Sequence, residues 1–200
     1  MATENLAPQI ISRLLGEIKD LCKNPPDGIK YLENDENSVS EIHALITGPD
    51  DTPFAGGKFR MKLVLSEDYP NTPPRGFFLT KIYHPNVSPT GDICVNTLKK
   101  DWSNDLTLKH ILQVIRCLLI VPFPESSLND EAGKLFMDSY DEFARRARII
   151  TEVHALVEQE GERGSRTGSI KEGLEGLPTP VVSEEQRKVK EQKKKSLKRL

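Results

Sequence analysis

Apolar side chains recur every three or four residues between positions 10 and 23, which is the spacing of one helix face. The positions are Ile11, Leu14, Ile18 and Leu21, and the pair Pro25–Pro26 follows them. Because proline cannot continue a helix, the pattern predicts an amphipathic N-terminal helix that ends just before this pair.

A period of two then replaces the helical period. It predicts four strands, at residues 29–33, 41–47, 58–65 and 76–80. In the third strand, Phe59, Met61, Leu63 and Leu65 would share one face. Short connections join consecutive strands, and parallel pairing needs long crossovers, so we predict a four-stranded antiparallel meander.

Helical spacing returns in the second half of the chain. It predicts three further helices, at residues 106–119, from about residue 127 onward, and at 139–156. The apolar set of the first includes Cys117, which we predict to be a buried thiol without chemistry. Ser127 and Asp130 predict a capping box at the start of the second. Helices before and after the sheet can cover one of its faces, which indicates an α+β fold.

Composition divides the chain into three parts. Residues 6–156 can form one globular domain, and residues 157–183 are predicted to be a flexible linker because they are rich in glycine and charged residues. Residues 184–200 contain eight basic and three acidic residues, whereas the rest of the chain has 20 basic and 27 acidic residues, a net charge of -7. We therefore expect an acidic body with a disordered basic tail.

The cysteine usage indicates a reducing compartment. The three cysteines form no CxxC pair, and the sequence shows neither an N-terminal apolar signal nor a run long enough to span a membrane. We expect a cytoplasmic and nuclear protein. No metal or organic cofactor is suggested by the residues, and the lysine-rich tail lacks the interleaved aromatics of a nucleic-acid-binding segment.

Cys94 is the main candidate for chemistry because a thiolate is an intrinsically strong nucleophile. It follows a predicted turn at Gly91–Asp92, on a short extended segment where a large partner could reach it. Asn86 could donate its amide to an oxyanion, or hold its loop by hydrogen bonds to the backbone, and the residues leave both roles open. His84 has no carboxylate neighbour in the sequence, so we expect a structural role rather than that of a base.

The His84-Pro85-Asn86 turn followed by Cys94 resembles the signature of the ubiquitin-conjugating enzyme family. Other marks of the family occur in order, from about Leu6 to Leu156: Tyr69-Pro70, Pro73-Pro74, Trp102 and the turn from Pro122 to Pro124. The resemblance implies the ubiquitin-conjugating fold. It also implies that Cys94 accepts the C-terminal acyl group of ubiquitin from the ubiquitin-activating enzyme and transfers it to a lysine. The activating enzyme would consume the ATP.

The resemblance also implies roles for residues around Cys94 and on the first helix. A lysine amine, with an ordinary pKa of about 10.4, must be positioned or desolvated to attack, and the candidates to orient it are Glu125, Ser126, Asp130 and Glu131. We expect Asp130 to be the acid nearest to the acceptor, or only a helix cap. The exposed basic residues Arg13 and Lys19 would contact the activating enzyme.

Two loops depart from the family pattern for docking a RING-type ligase. Asn71 stands where family members often expose a bulky apolar residue, and Ser103-Asn104-Asp105 replaces the usual Ser-Pro-Ala. The tail, which ends in Leu197, Lys198, Arg199 and Leu200, resembles that of the S-type members of the family. In those, a leucine-bracketed end tethers the enzyme to a multisubunit RING ligase, the anaphase-promoting complex, and the enzyme elongates lysine-linked polyubiquitin chains.

Two alternatives remain beside this interpretation. The chain could conjugate another ubiquitin-like modifier, although an acidic body argues against the strongly basic surface expected there. It could also be a non-catalytic ubiquitin-binding scaffold of the same fold, but such variants lack the cysteine that stands at position 94.

Overall fold

The computed structural model describes residues 6–33, 39–94, 98 and 102–156 of the 200-residue chain. These residues all belong to the predicted domain at 6–156. The predicted linker at 157–183 and the predicted tail at 184–200, including Leu197–Leu200, lie outside the described residues. None of the helices in the described part is both long and apolar enough to span a bilayer.

The N-terminal helix, α1, spans Pro8–Lys23 and buries Leu14 and Leu21. It begins two residues earlier than predicted because Pro8, at the start of the helix, has a φ angle already suited to it. At the other end, the Asn24 N–H donates to the Asp20 carbonyl at 2.7 Å. The amphipathic helix predicted from the sequence is confirmed.

The four predicted strands form one antiparallel meander in the order β1–β2–β3–β4. Their bounds are Ile29–Leu32, Glu41–Thr47, Lys58–Val64 and Arg75–Phe78. The buried face pairs Ile42 with Leu63, Ala44 with Met61 and Ile46 with Phe59. The alternating pattern therefore correctly predicted both the strands and the face that packs on the helices.

The fourth strand begins and ends earlier than predicted. The N–H groups of Leu79 and Thr80 both donate to the Arg60 carbonyl, at 2.8 and 3.1 Å, so the chain leaves the regular ladder after Phe78. At the other end of the strand, Arg75 already pairs with Val64. The outward side chains of β4 are thus Arg75 and Phe77, whereas Gly76 and Phe78 are buried.

Helix α2 spans Leu108–Leu118, and its buried residues are Leu108, Ile111, Leu112, Ile115 and Leu118. Cys117 is exposed, so the prediction of a buried core thiol was wrong. The buried positions follow a spacing of three and four residues, and Cys117 falls on the opposite side of the helix, as does Gln113. Hydrophobic character alone had placed it in the core.

Two helices complete the described part, α3 at Asp130–Asp138 and α4 at Tyr140–Ala155. Asn129 caps α3, since its side chain accepts a hydrogen bond from the Ala132 N–H at 3.1 Å. The capping box predicted from Ser127 is therefore wrong, because the cap lies two residues after Ser127 and the helix begins at Asp130. Phe136 and Phe143 pack edge to face at 5.3 Å between ring centroids and join the two helices.

Candidate active site

The turn at residues 84–86 is built around a buried, neutral imidazole. The Asn86 N–H donates to His84 Nδ1 at 3.0 Å, so the proton lies on Nε2, which donates to the Leu118 carbonyl at 2.9 Å. Burial lowers the pKa of His84 from 6.5 to about 4. The ring is therefore uncharged at neutral pH, with both nitrogens engaged, and His84 is a structural residue that links the turn to α2.

Asn86 is fully buried and makes three hydrogen bonds through its side chain. Its Nδ2 donates to the carbonyls of Phe123 at 2.6 Å and Ser126 at 2.9 Å, and its Oδ1 accepts from the Phe123 N–H at 2.8 Å. Both amide hydrogens are thus occupied by backbone carbonyls. The geometry supports the loop-holding role, and donation to an oxyanion would require one of these bonds to open.

The backbone of Cys94 is held between this turn and the sheet. The Cys94 N–H donates to the Asn86 carbonyl at 3.0 Å, and the Ile93 N–H donates to the Gly76 carbonyl at 2.9 Å. Gly91, with φ at 96°, lies so close to the Phe78 carbonyl that a Cβ there would be 2.1 Å from its oxygen. Only glycine fits this turn, and the turn directs the chain into Cys94.

Cys94 is only 6% exposed, but it lines a cavity of about 340 Å³ that opens to the surface. The other lining residues are Arg75, Gly76, Phe77, Asp92, Ile93 and Leu128. A cavity of about 410 Å³ lies elsewhere, between α1 and β1, and includes Cys22. Cys22 is an exposed residue of α1, whereas Cys94 is fixed by the hydrogen bond from its backbone N–H to the turn at residues 84–86.

Residues 123–131, which we call the wall of the site, are hydrogen-bonded to the turn at residues 84–86, and Leu128 among them lines the cavity. A short 3-10 helix spans Pro124–Ser126, and the N–H groups of Leu128 and Asn129 donate to the Pro85 carbonyl at 2.8 and 3.1 Å. The Ser127 hydroxyl donates to the same carbonyl at 3.2 Å. The family resemblance therefore placed this segment correctly beside the turn that holds Cys94.

The four residues proposed to orient the acceptor lysine have different surroundings. Glu125 and Asp130 are exposed, and Ser126 is half-buried. Glu131 forms an ion pair with Arg146 of α4. Asp130 is the first residue of α3 rather than its cap. The residue of this segment that lines the cavity is Leu128, which sequence reasoning missed because an exposed leucine in a loop carries no chemical signal.

The two basic residues predicted to contact the activating enzyme also differ. Lys19 is exposed on α1. The guanidinium of Arg13 is bound within the chain: it donates to Glu17 at 2.7 Å and to the carbonyls of Asn104 and Leu106 at 2.6 and 2.8 Å. The hydrogen bond to Glu17 raises the pKa of Arg13. Arg13 thus fastens α1 to the loop before α2, which the helical pattern alone could not show.

The two loops that depart from the family pattern are bonded to each other. The Asn104 amide donates to Asn71 Oδ1 at 3.2 Å, and the Trp102 indole N–H donates to the Pro70 carbonyl at 2.9 Å. At both positions a polar amide thus takes part in a contact between the loops.

The family model for ubiquitin-conjugating enzymes matches residues 13–151, more than two thirds of the chain. The chain belongs to the ubiquitin-conjugating enzyme family. This conjugating enzyme is 50% identical over 199 residues to a protein of Drosophila mojavensis named "Ubiquitin-conjugating enzyme E2 S". It is 50% identical over 198 residues to a protein of the same name from Nematostella vectensis. In both comparisons the match covers 98% of this chain and 96% of the relative.

The comparisons decide between the classes of function that the sequence left open. The conjugating enzyme is a ubiquitin transferase, and enzymes of this kind work with ubiquitin, a ubiquitin-activating enzyme and a ubiquitin ligase. Its α+β fold, with four helices and a four-stranded antiparallel sheet in the described part, agrees with that of the family.

Proposed function

We propose that the enzyme carries ubiquitin as a thioester on Cys94 and transfers it to a lysine. The observation that carries the proposal is the position of Cys94, anchored through its backbone and facing the cavity. Cys22 and Cys117 lie on helices and do not line this cavity. A nucleophile that must meet two large partners in turn needs a fixed position that is open on one side.

The proposed reaction has two acyl transfers. The Cys94 thiolate attacks the carbonyl carbon of the ubiquitin thioester on the activating enzyme; a new sulfur–carbon bond forms and the activating enzyme leaves as a thiolate. A neutral lysine amine then attacks the same carbon, loses a proton and forms an amide, while Cys94 leaves as a thiolate. Neither step needs an oxidant, a reductant or a cofactor of this chain, because the activating enzyme consumes the ATP.

We propose that Asn86 acts in the second transfer mainly by holding residues 123–126 against the cavity. Its three hydrogen bonds to that segment support this role. Within the segment and the helix that follows, Glu125, Ser126, Asp130 and Glu131 are the candidates to orient the amine. Of the acids among them, Asp130 and Glu125 are exposed without a described ion pair, whereas Glu131 is paired with Arg146.

A charging assay tests the thioester proposal. Ubiquitin, activating enzyme and ATP are mixed with the intact chain, Cys94→Ser, Cys117→Ser and Cys22→Ser, and the products are resolved without reductant. We expect a reductant-sensitive adduct on all but Cys94→Ser, which would form at most a reductant-resistant ester. An adduct that persists as a thioester in Cys94→Ser would assign the chemistry to another cysteine.

We further propose that the enzyme elongates polyubiquitin chains with the anaphase-promoting complex, in the cytoplasm and the nucleus. The near full-length similarity to proteins named E2 S supports this, as does the C-terminal Leu197–Leu200. The hydrogen bond between Asn71 and Asn104 also supports it, because it places amides where an apolar docking surface is usual. A flexible linker with a short anchor raises local concentration without a large interface.

Deleting Leu197–Leu200 tests the tether. We expect the shortened chain to form its thioester at the normal rate and to lose chain elongation by the anaphase-promoting complex. The matched control replaces Lys193–Lys195 by glutamine, which removes three cations from the tail but keeps its end. Loss of thioester formation, or retention of ligase-dependent elongation, would refute the tether.

A further inference from the structure

On one side the cavity beside Cys94 is lined by Leu128, from the segment that holds the candidate lysine-orienting residues. Its far side is formed by β4, with Arg75 and Phe77, and by the turn before Cys94, with Asp92. Phe77 and Asp92 are joined by an isolated β-bridge, so this side is fixed by the backbone. An acceptor chain that reaches Cys94 across β4 passes close to one or more of these side chains.

The guanidinium of Arg75 is held in place by its neighbours, but some of its N–H groups form no hydrogen bond among the described residues. It lies on the outward face of β4, its side chain is 67% exposed, and its guanidinium carbon is 5.0 Å from the centroid of the Phe77 ring. The ring orders the guanidinium plane by a cation–π contact. Among the described residues its one carboxylate partner is Asp92, at 3.5 Å, which is longer than the usual 2.7–2.9 Å or so of a charge-assisted hydrogen bond.

The side chain of Asp92 is hydrogen-bonded within the turn before Cys94. Its Oδ2 accepts hydrogen bonds from the Thr90 hydroxyl at 2.7 Å and the Ser88 hydroxyl at 3.1 Å. These bonds hold the pKa of Asp92 below its ordinary value. Its Oδ1 faces Arg75 at 3.5 Å, which uses at most one side of the guanidinium, and the other guanidinium N–H groups have no hydrogen-bond partner among the described residues.

We propose that Arg75 is a specificity-determining residue that binds an acidic side chain of the acceptor polypeptide close to the lysine being modified. A carboxylate can accept two parallel hydrogen bonds from a guanidinium, which gives direction as well as attraction. The apolar residues Phe77, Ile93 and Leu128 line the rest of the cavity and can pack against the stem of the neighbouring side chains. This inference rests on the proposed thioester function, because it concerns the acceptor in the second transfer.

The test uses full-length enzyme that has been charged with ubiquitin and then separated from the activating enzyme. It is mixed with peptides that contain one lysine and a variable residue, glutamate, glutamine or arginine, at one to three positions on either side. The conjugate formed per charged enzyme is measured against peptide concentration. We expect the apparent KM to be about two- to fivefold lower for at least one glutamate position than for glutamine there, as for an exposed ion pair.

Charge reversal provides the decisive comparison. Arg75→Glu should invert the preference, so that the peptide with an arginine at that position has the lower KM, and Arg75→Lys should retain part of the original preference. Arg145→Glu, at an exposed cation on α4, is the matched control and should keep the preference of the intact enzyme. The KM values of one variant for different peptides are compared with each other, so a change in the overall rate of that variant does not affect the ratio of its KM values.

The outcomes separate this inference from the proposed function. If the intact enzyme forms no thioester, the proposed function fails and the inference with it. If it forms one but shows equal KM values for glutamate, glutamine and arginine at every position, only the role of Arg75 is overturned. A preference that persists unchanged in Arg75→Glu, or that Arg145→Glu inverts equally, also overturns it.

Discussion

Replacing Asn86 by alanine tests whether this residue holds the wall of the site or donates to an oxyanion. The side chain bonds to three backbone groups: two carbonyls, of Phe123 and Ser126, and the Phe123 N–H. A net hydrogen bond is worth about 1 kcal/mol, and an unsatisfied buried partner costs about 1–3 kcal/mol. Because these groups are only part-buried and water can reach some of them, we expect a loss of about 3 kcal/mol in the free energy of unfolding.

A loss of this size is easily measured, since domains are stable by only about 5–15 kcal/mol. For a domain of about 150 residues it corresponds to a fall in Tm of roughly 6–12 °C. The assay is thermal and urea unfolding, followed by single-turnover discharge of the charged variant to free lysine at a temperature where it is folded. We expect charging to persist and discharge to slow, because residues 123–126 are no longer held beside Cys94.

Ser127→Ala is the matched control, because it removes another tie of the same segment to the same turn without removing an amide donor. Its discharge should slow less, because the Ser127 hydroxyl has one proton to donate and lies within reach of two carbonyls, of Pro85 at 3.2 Å and of Asn129 at 2.9 Å. An Asn86→Ala chain with unchanged Tm and urea midpoint would refute the reasoning from the three hydrogen bonds. Unchanged stability together with lost discharge would favour the oxyanion role instead.

Three further predictions concern His84, Arg13 and Cys117. Burial lowers the pKa of His84 to about 4, so the folded protein binds a proton on this ring less readily than the unfolded chain does. The free energy of unfolding should therefore fall by about 3 kcal/mol as the pH drops from 6.5 through 4. Nitrogen NMR at pH 5.5 should show a neutral ring protonated on Nε2, and a ring that titrates near 6.5 would contradict this. Arg13→Ala should lower the Tm by about 2–4 °C, because Arg13 loses its hydrogen bonds to the loop before α2. The control, Lys19→Ala, should leave the Tm unchanged. If Arg13→Ala instead slows charging at an unchanged Tm, Arg13 is a contact for the activating enzyme. Cys117→Ser should change the free energy of unfolding by less than about 0.5 kcal/mol, as expected for an exposed residue. A loss above about 1 kcal/mol would show that the Cys117 side chain is buried.

The sheet could be predicted because the alternation of apolar and polar residues that indicates each strand lies within a short stretch of sequence. Alternation fixes which side chains of β2 and β3 share a face, and short connections leave little choice of topology. The end of β4 was less predictable. It depends on Arg60, twenty residues earlier, whose carbonyl takes the next two N–H groups.

The candidate site was predictable only in part. The order of motif residues pointed to Cys94 and Asn86 and to the segment that lies beside them. Which side chain of that segment lines the cavity depends on the path of the backbone between Phe123 and α3, and this path is set by long-range hydrogen bonds to Pro85 and Asn86. The misplacement of Cys117 has a related cause, since an apolar residue type does not state which side of a helix it occupies.

The contacts that hold the wall of the site in place determine how the enzyme's choice of acceptor can be changed. Asn86 bonds to the backbone of Phe123 and Ser126, and the Pro85 carbonyl accepts from the backbone of Leu128 and Asn129. Almost none of this attachment depends on which side chains the wall carries. Residues 125, 126 and 128 can therefore be randomised as a library to redirect the choice of acceptor, while Ser127 is kept because its hydroxyl donates to the Pro85 carbonyl.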